Sequence, residues 1–291
     1  MKSELKDYEI FFCGISKNCI KTIDKNLDFL SNFIKNSKFK SYIILIDSDS
    51  SDGTKEHIEK FIANDVAFLY QNLDGLENNY PNRIERIQIS RNKCIELIPK
   101  LTKNSNLVYV PLDLDLDLFK YTSPKKLDEL IEYCISKKEP NGIFPFSSPY
   151  YYDIFALRSN KWVNKNSLFW VDKLKKCFKF GSFFYNYFFI FRYQITASKF
   201  KTIKNLKIRS AFGGMGIYKL GQKIPNYQLS IKNPAKVSEH LKFNFHFNEL
   251  EILTTWNVPA PQEHLEFKLL EFNSKIKYFF KTLFFDFVNK K

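Results

Sequence analysis

Three apolar runs, each closed by a polar or acidic cluster, constrain this chain more than anything else in it. Tyr8–Ile15 (YEIFFCGI) runs into Ser16, and Tyr42–Ile46 (YIILI) runs into the cluster Asp47-Ser48-Asp49-Ser50-Ser51-Asp52-Gly53-Thr54. Leu107–Leu112 (LVYVPL) runs into Asp113-Leu114-Asp115-Leu116-Asp117. Short continuous apolar runs read as strands buried on both faces, and Val66–Tyr70 adds a shorter one. Between them, apolar residues recur at helical spacing. Ile20, Ile23, Leu27, Leu30 and Ile34 predict a helix over 18–34, and further helices are expected over 55–63 and 84–97, the last stopping near Pro99. Asp52 or Thr54 is placed to cap the middle one. Strands alternating with helices predict an α/β fold with a mainly parallel sheet and helices on both faces. Ligands on such sheets bind beyond the carboxyl ends of the strands, which is where all of these clusters fall.

The aspartate cluster is the most unusual of them. If the run stays extended, a period of two puts Asp113, Asp115 and Asp117 on one face and the leucines on the other. Like charges on one strand edge repel, and Asp is a poor strand former. A hard divalent cation, Mn²⁺ or Mg²⁺, would offset that repulsion; a solvated, soluble strand edge is the plainer alternative. Neither G-x-G-x-x-G nor G-x-x-x-x-G-K-[ST] occurs, so a phosphate group is not held by either of those loops. A diphosphate bound here would need a metal bridge.

Composition removes several classes. With 291 residues, 44% hydrophobic and 17% aromatic, the chain can bury a large core and is not disordered. Its five cysteines form no CxxC pair and no zinc spacing, which is the pattern of reduced thiols in a cytosolic protein. The start MKSELKDYEI has no apolar stretch of signal-peptide length, and no uncharged run approaches the ~20 residues of a membrane span. The net charge of +14 is concentrated: Arg158–Arg209 holds thirteen Lys and Arg against one acid, Asp172. Aromatic residues are interleaved throughout that segment. Such a segment suits nucleic acid or an anionic membrane surface.

In order, IFFCGIS, IILIDSDSSDGT, ISRNKCI and YVPLDLDLD resemble the nucleotide-sugar glycosyltransferases of the GT-A fold. Asp47 and Asp52-Gly53-Thr54 match the family's second-strand pattern, with Ser48 where a second Asp is frequent. Arg91-Asn92 resembles its Ala-Arg-Asn helix start, with Ser90 in place of Ala, and Asp113-Leu114-Asp115 fits its D-x-D motif. YYYDIFALR, SAFGGMGIYK and SEHLKFNFHF resemble more narrowly the capsule mannosyltransferase-like group. The resemblance covers roughly residues 9–246, with a gap in the basic aromatic segment.

The resemblance implies a hexosyltransferase, with mannose among the candidate sugars. It would move the sugar from a nucleotide-sugar donor to a glycan or lipid-linked saccharide acceptor in surface glycan synthesis. Asp113 and Asp115 would ligate the cation, with His240 or His246 completing its shell, and Asp117 left at the surface. Ser16, Asp47, Asp52 and Arg91 would meet the donor. Glu239 or Asp153 would act as general base. Gly213 and Gly214, which allow close backbone approach, would line the sugar or acceptor pocket. The plainer roles are loop capping for Asp47, an ion pair for Arg91, a turn for Asp153 and the glycines, and a structural place for His240.

The expected organisation is a donor half over 1–120 and an acceptor half over 121–265 with the basic aromatic insertion 158–209. An amphipathic C-terminal helix over 266–291 would follow, with Ile276, Phe279, Phe280, Leu283 and Phe287 on one stripe. Peripheral contact with the inner membrane face is the expectation for both of the last two. A sugar nucleotidyltransferase is the first competitor, but it would want a glycine-rich basic first loop, and CGISKN offers only Lys17. A nucleic-acid-binding protein is supported by charge alone and gives the aspartates no role.

Overall fold

The computed structural model describes residues 7–62, 67–137, 141–148, 151–159, 205–221, 224–229 and 238–261. The expectations for the basic aromatic segment from 160 to 204 and for the helix from 266 onward fall outside them. Among the described residues, no helix is long and apolar enough to cross a membrane.

The expected mixed α/β architecture is the one observed. In chain order the elements are β1 (Glu9–Ser16), α1 (Ile23–Asn36), β2 (Lys40–Asp47), α2 (Thr54–Ile62), β3 (Phe68–Asn72), α3 (Leu76–Asn79) and α4 (Arg83–Leu101). There follow β4 (Leu107–Asp113), α5 (Pro124–Ser136), β5 (Asn141–Ser148), β6 (Asn205–Ile208), β7 (Ile217–Lys219), α6 (His240–Asn244) and β8 (Glu249–Pro259). The eight strands form one sheet in the order β3-β2-β1-β4-β7-β5-β8-β6. β3, β2, β1 and β4 are mutually parallel, β5 and β8 are parallel, and β7 and β6 run antiparallel to their neighbours.

Period-two alternation explains why the central strands are apolar throughout. Ile10 and Phe12 of β1 face α1 and α5, in a cluster with Leu27, Leu30, Phe33, Leu127 and Ile131. Phe11 and Cys13 face the other way, toward Cys94, Ile95 and Ile98 of α4. Each face of the sheet is therefore covered by helix, and each strand must be apolar on both sides.

Two sequence-based expectations need correction. The aspartate run does not stay extended. β4 ends at Asp113, and the chain turns, with the Leu116 amide bonded to the Asp113 carbonyl at 3.4 Å. Burial of Leu114, Leu116 and Leu118 in the core drives this turn and leaves the aspartates between them facing outward. Second, the first helix begins at Ile23, not Asn18. Asn18 takes a left-handed φ of 56°, and side chains of the next loop capture the amides that would start a helix there. Ser50 accepts from the Asn18 amide, Thr54 from that of Cys19 and Asp52 from that of Ile20. Such local side-chain bonds compete with helix formation.

Candidate functional site

β1, β2 and β4 end in register, Ser16 beside Asp47 and Ile15 beside Asp113, so their polar termini share one edge of the sheet. Asp47 is fully buried there. Its Oδ2 accepts from the hydroxyls of Ser16 and Ser50, each at 2.6 Å, and its Oδ1 from the Ser50 amide at 3.2 Å. Asp52 Oδ1 accepts from the amide and hydroxyl of Thr54, the first residue of α2. Burial works against ionisation of Asp52, but the bonds from Thr54 and Ile20 outweigh it and hold its carboxyl below the ordinary range. Ser16, Asp47 and Asp52 thus staple the first two loops to one another.

Arg91 is the centre of the second layer. It stands mid-way along α4, 1% exposed, rather than at a helix start. Its Nη2 donates to Asp113 Oδ1 at 2.6 Å and its Nε to Glu239 Oε1 at 3.4 Å. The guanidinium lies over the Phe212 ring at 4.6 Å and the Tyr227 ring at 5.6 Å. Burial works against its charge, but Asp113, Tyr227 and Glu239 more than restore it. Burial pushes the Glu239 carboxyl up, and Arg91 only partly pulls it back. Tyr227 is itself fixed to α4, since Asn92 accepts from its amide and donates to its carbonyl. Phe212 opens the glycine segment singled out from the sequence, but its contact with a cation was not expected, and Tyr227 was not singled out at all. Tyr227 stands alone in sequence with no local pattern; only the convergence of both rings on one cation reveals their role.

The glycine segment closes the other side. Gly213 and Gly214 have φ of 78° and 86°, which a residue with a side chain rarely adopts. A Cβ on Gly214 would lie 2.6 Å from Leu116 Cδ1 and 3.1 Å from the Tyr152 hydroxyl. This tight approach lets the Gly214 carbonyl accept from the Asp113 amide at 2.8 Å. Asp153 holds the same segment, accepting from the Gly213 amide at 3.0 Å and from the Ala156 amide at 3.2 Å. Burial, and then the carboxylates of Asp153, Asp113 and Asp115, push the Tyr152 hydroxyl well above its ordinary range.

The residues fit a divalent cation in part. Asp113, with a side chain 31% exposed, and the exposed Asp115 offer hard oxygens from one turn at the ligand-binding edge. Asp117 sits farther along, 3.5 Å from Lys25 at the surface. Among the described residues, no three His, Cys, Asp or Glu side chains gather closely enough to hold a metal. His240 does not complete the set. Its ring stacks on Phe212 at 3.7 Å and its Nε2 lies 3.3 Å from Glu239, so the contacts run Asp113–Arg91–Glu239–His240. The guanidinium intervenes. Burial, with the Arg91 charge, holds His240 well below its usual pKa. His246 is exposed at the end of α6.

No family model matches the sequence, and no curated protein matches it. Among solved structures, S. aureus TarS 1-349 is similar over 87% of this chain and 60% of its own length, at 12% identity and a TM-score of 0.41. Glucosyl-3-phosphoglycerate synthase from Mycobacterium tuberculosis is similar over 89% of this chain and 75% of its own, at 11% identity and TM-score 0.42. A mycobacterial protein gives 87% and 65%, at 12% identity and TM-score 0.44. TarS has been solved with UDP-GlcNAc, and the synthase with Mn²⁺, UDP-glucose and phosphoglyceric acid. The roles of residues in this chain rest on the side-chain geometry above.

Proposed function

We propose that this chain is a metal-dependent glycosyltransferase of the GT-A type, moving a hexose from a nucleotide diphosphate to a saccharide or lipid-linked hydroxyl. One observation carries the reading: Asp113 and Asp115 leave the end of β4 at the carboxyl edge of the parallel strands, and the buried Arg91 joins Asp113 to Glu239 there. So many carboxylates at a ligand edge suit a polyanionic donor only when a cation joins them. Asp113 and Asp115 would hold Mn²⁺ or Mg²⁺, whose charge stabilises the departing diphosphate. Arg91 fixes the Asp113 carboxylate in place. Glu239, with its proton affinity raised by burial, is the base that takes the acceptor hydroxyl proton. Asp153 sets the Gly213-Gly214 turn, against which the sugar or acceptor rests. Ser16, Asp47 and Asp52 shape the loops that receive the nucleoside.

The test is a thermal-shift panel of UDP, GDP and CDP sugars, each with and without Mn²⁺. A ligand at about a hundred times its Kd adds ~2.7 kcal/mol to the folded state, roughly 5–10 °C for a domain of this size. One nucleotide should give such a rise only when Mn²⁺ is present. If none gives a metal-dependent rise, the reading is wrong.

A further inference from the structure

The turn that carries Asp113 and Asp115 is gripped from below by one buried amide. Asn26, on the second turn of α1, is fully buried among Ile23, Leu27 and Leu30. A polar residue inside an apolar helix stripe is costly unless every hydrogen-bonding group on it is used. Here they are used on a single target. Nδ2 donates to the Leu114 carbonyl at 3.3 Å and to the Leu116 carbonyl at 2.7 Å, and Oδ1 accepts from the Leu118 amide at 3.2 Å. Thr22, one helical turn earlier, donates its hydroxyl to the same Leu114 carbonyl at 2.6 Å.

These bonds reach the backbone on both sides of Asp115. Above the turn, the Leu114 amide bonds to the Ile15 carbonyl and the Asp113 amide to that of Gly214. The backbone from Asp113 to Leu118 is therefore tied to α1, to β1 and to the glycine segment, while the aspartates project from it between buried leucines. A leucine at position 26 would fill the core equally well, so packing alone does not account for an amide there. Holding the carbonyls of alternate residues while their neighbours' side chains point outward does.

We propose that Asn26, assisted by Thr22, is a positioning residue that presets Asp113 and Asp115 for a divalent cation. The inference rests on the cation site proposed above. Residues that orient metal ligands are typically worth about 10–100-fold in metal affinity. Asn26→Asp keeps the shape but turns a donor into an acceptor facing two carbonyls. Thr22→Val removes only the hydroxyl, and Thr22→Ser restores it.

The experiment titrates Mn²⁺ by the loss of its free paramagnetic resonance signal, with whichever of UDP, GDP or CDP shifts the wild type most. Melting without metal is measured in parallel. Asn26→Asp and Thr22→Val should raise the half-saturating Mn²⁺ concentration, by about tenfold or more for the first, and Thr22→Ser should return it to the wild-type value. Variants that melt earlier but bind Mn²⁺ at the wild-type midpoint would overturn the proposal and leave Asn26 a core-stability residue. If Asn26→Asp does not fold, Thr22→Val against Thr22→Ser decides alone. A wild-type protein that takes up no Mn²⁺ with any nucleotide refutes the cation site itself, and the positioning role falls with it.

Discussion

Replacing Arg91 by methionine is expected to cost about 3–5 kcal/mol of folding stability, measured by urea unfolding at neutral pH. Methionine fills much of the same volume between Phe212 and Tyr227 but leaves the buried Glu239 without its cation. Breaking a buried ion pair by removing one partner costs that much because the other charge stays behind. Lysine is not a substitute, since one ammonium cannot serve Asp113 and Glu239 from the fork geometry that Nη2 and Nε provide. The loss should also depend on pH. Glu239 already lies above its ordinary 4.5 through burial, with Arg91 pulling it down, so without Arg91 it rises further. A carboxyl whose folded pKa exceeds its unfolded value is protonated first in the folded state, and stability falls as pH rises between the two. The deficit should therefore be smallest below about pH 4.5 and grow above it. A deficit that does not change with pH would show that Glu239 is not the group left exposed to the loss.

Asp115→Asn should do the opposite, leaving the fold intact and removing the chemistry. Asp115 is exposed at the turn, so melting without metal should stay within about 0.5 kcal/mol of wild type. The Mn²⁺-dependent thermal shift should vanish, and sugar transfer should fall by about 10²-fold or more. Asp113→Asn makes the informative contrast. It weakens a cation ligand and also turns the charge-assisted 2.6 Å bond from Arg91 into one with a neutral acceptor, leaving the buried guanidinium short of a counter-charge, so it should cost on the order of 2 kcal/mol in addition. Equal effects of the two variants on metal-free stability would contradict the division of labour between them.

The first half of the fold was legible because its signals are local. Strands buried on both faces must be apolar throughout, and YEIFFCGI, YIILI and LVYVPL can be nothing else once helices separate them. Where the reading failed, a non-local partner decided. Nothing near Asp113-Leu114-Asp115 says that the run will turn; the core pulling in Leu114, Leu116 and Leu118 says it. His240 looked like a ligand by its order in the chain, yet its ring packs against Phe212 and Tyr227, neither of them local to it in sequence. Asn26 was hidden because a stripe pattern is read from its apolar members. The signal was there, as one amide inside the stripe.

The sheet order carries a consequence for how the molecule assembles. β3, β2 and β1 are joined by successive strand–helix units and pair with neighbours near in sequence, whereas β4 completes the parallel block by reaching back about a hundred residues to β1, Leu107 beside Glu9. β7 bridges it to β5, pairing with Val108 and Tyr109 on one side and with Asn141–Ile143 on the other. It arrives from about a hundred residues beyond β4, and loop closure over that distance makes such a contact slow to form. The Gly213-Gly214 segment and Glu239 come with or after it. β4 and β7 thus both close long loops, and Asp113 acquires its Gly214 bond, and Arg91 its second acid, only when the short central strand β7 docks. A chain released before that step holds an unfinished site.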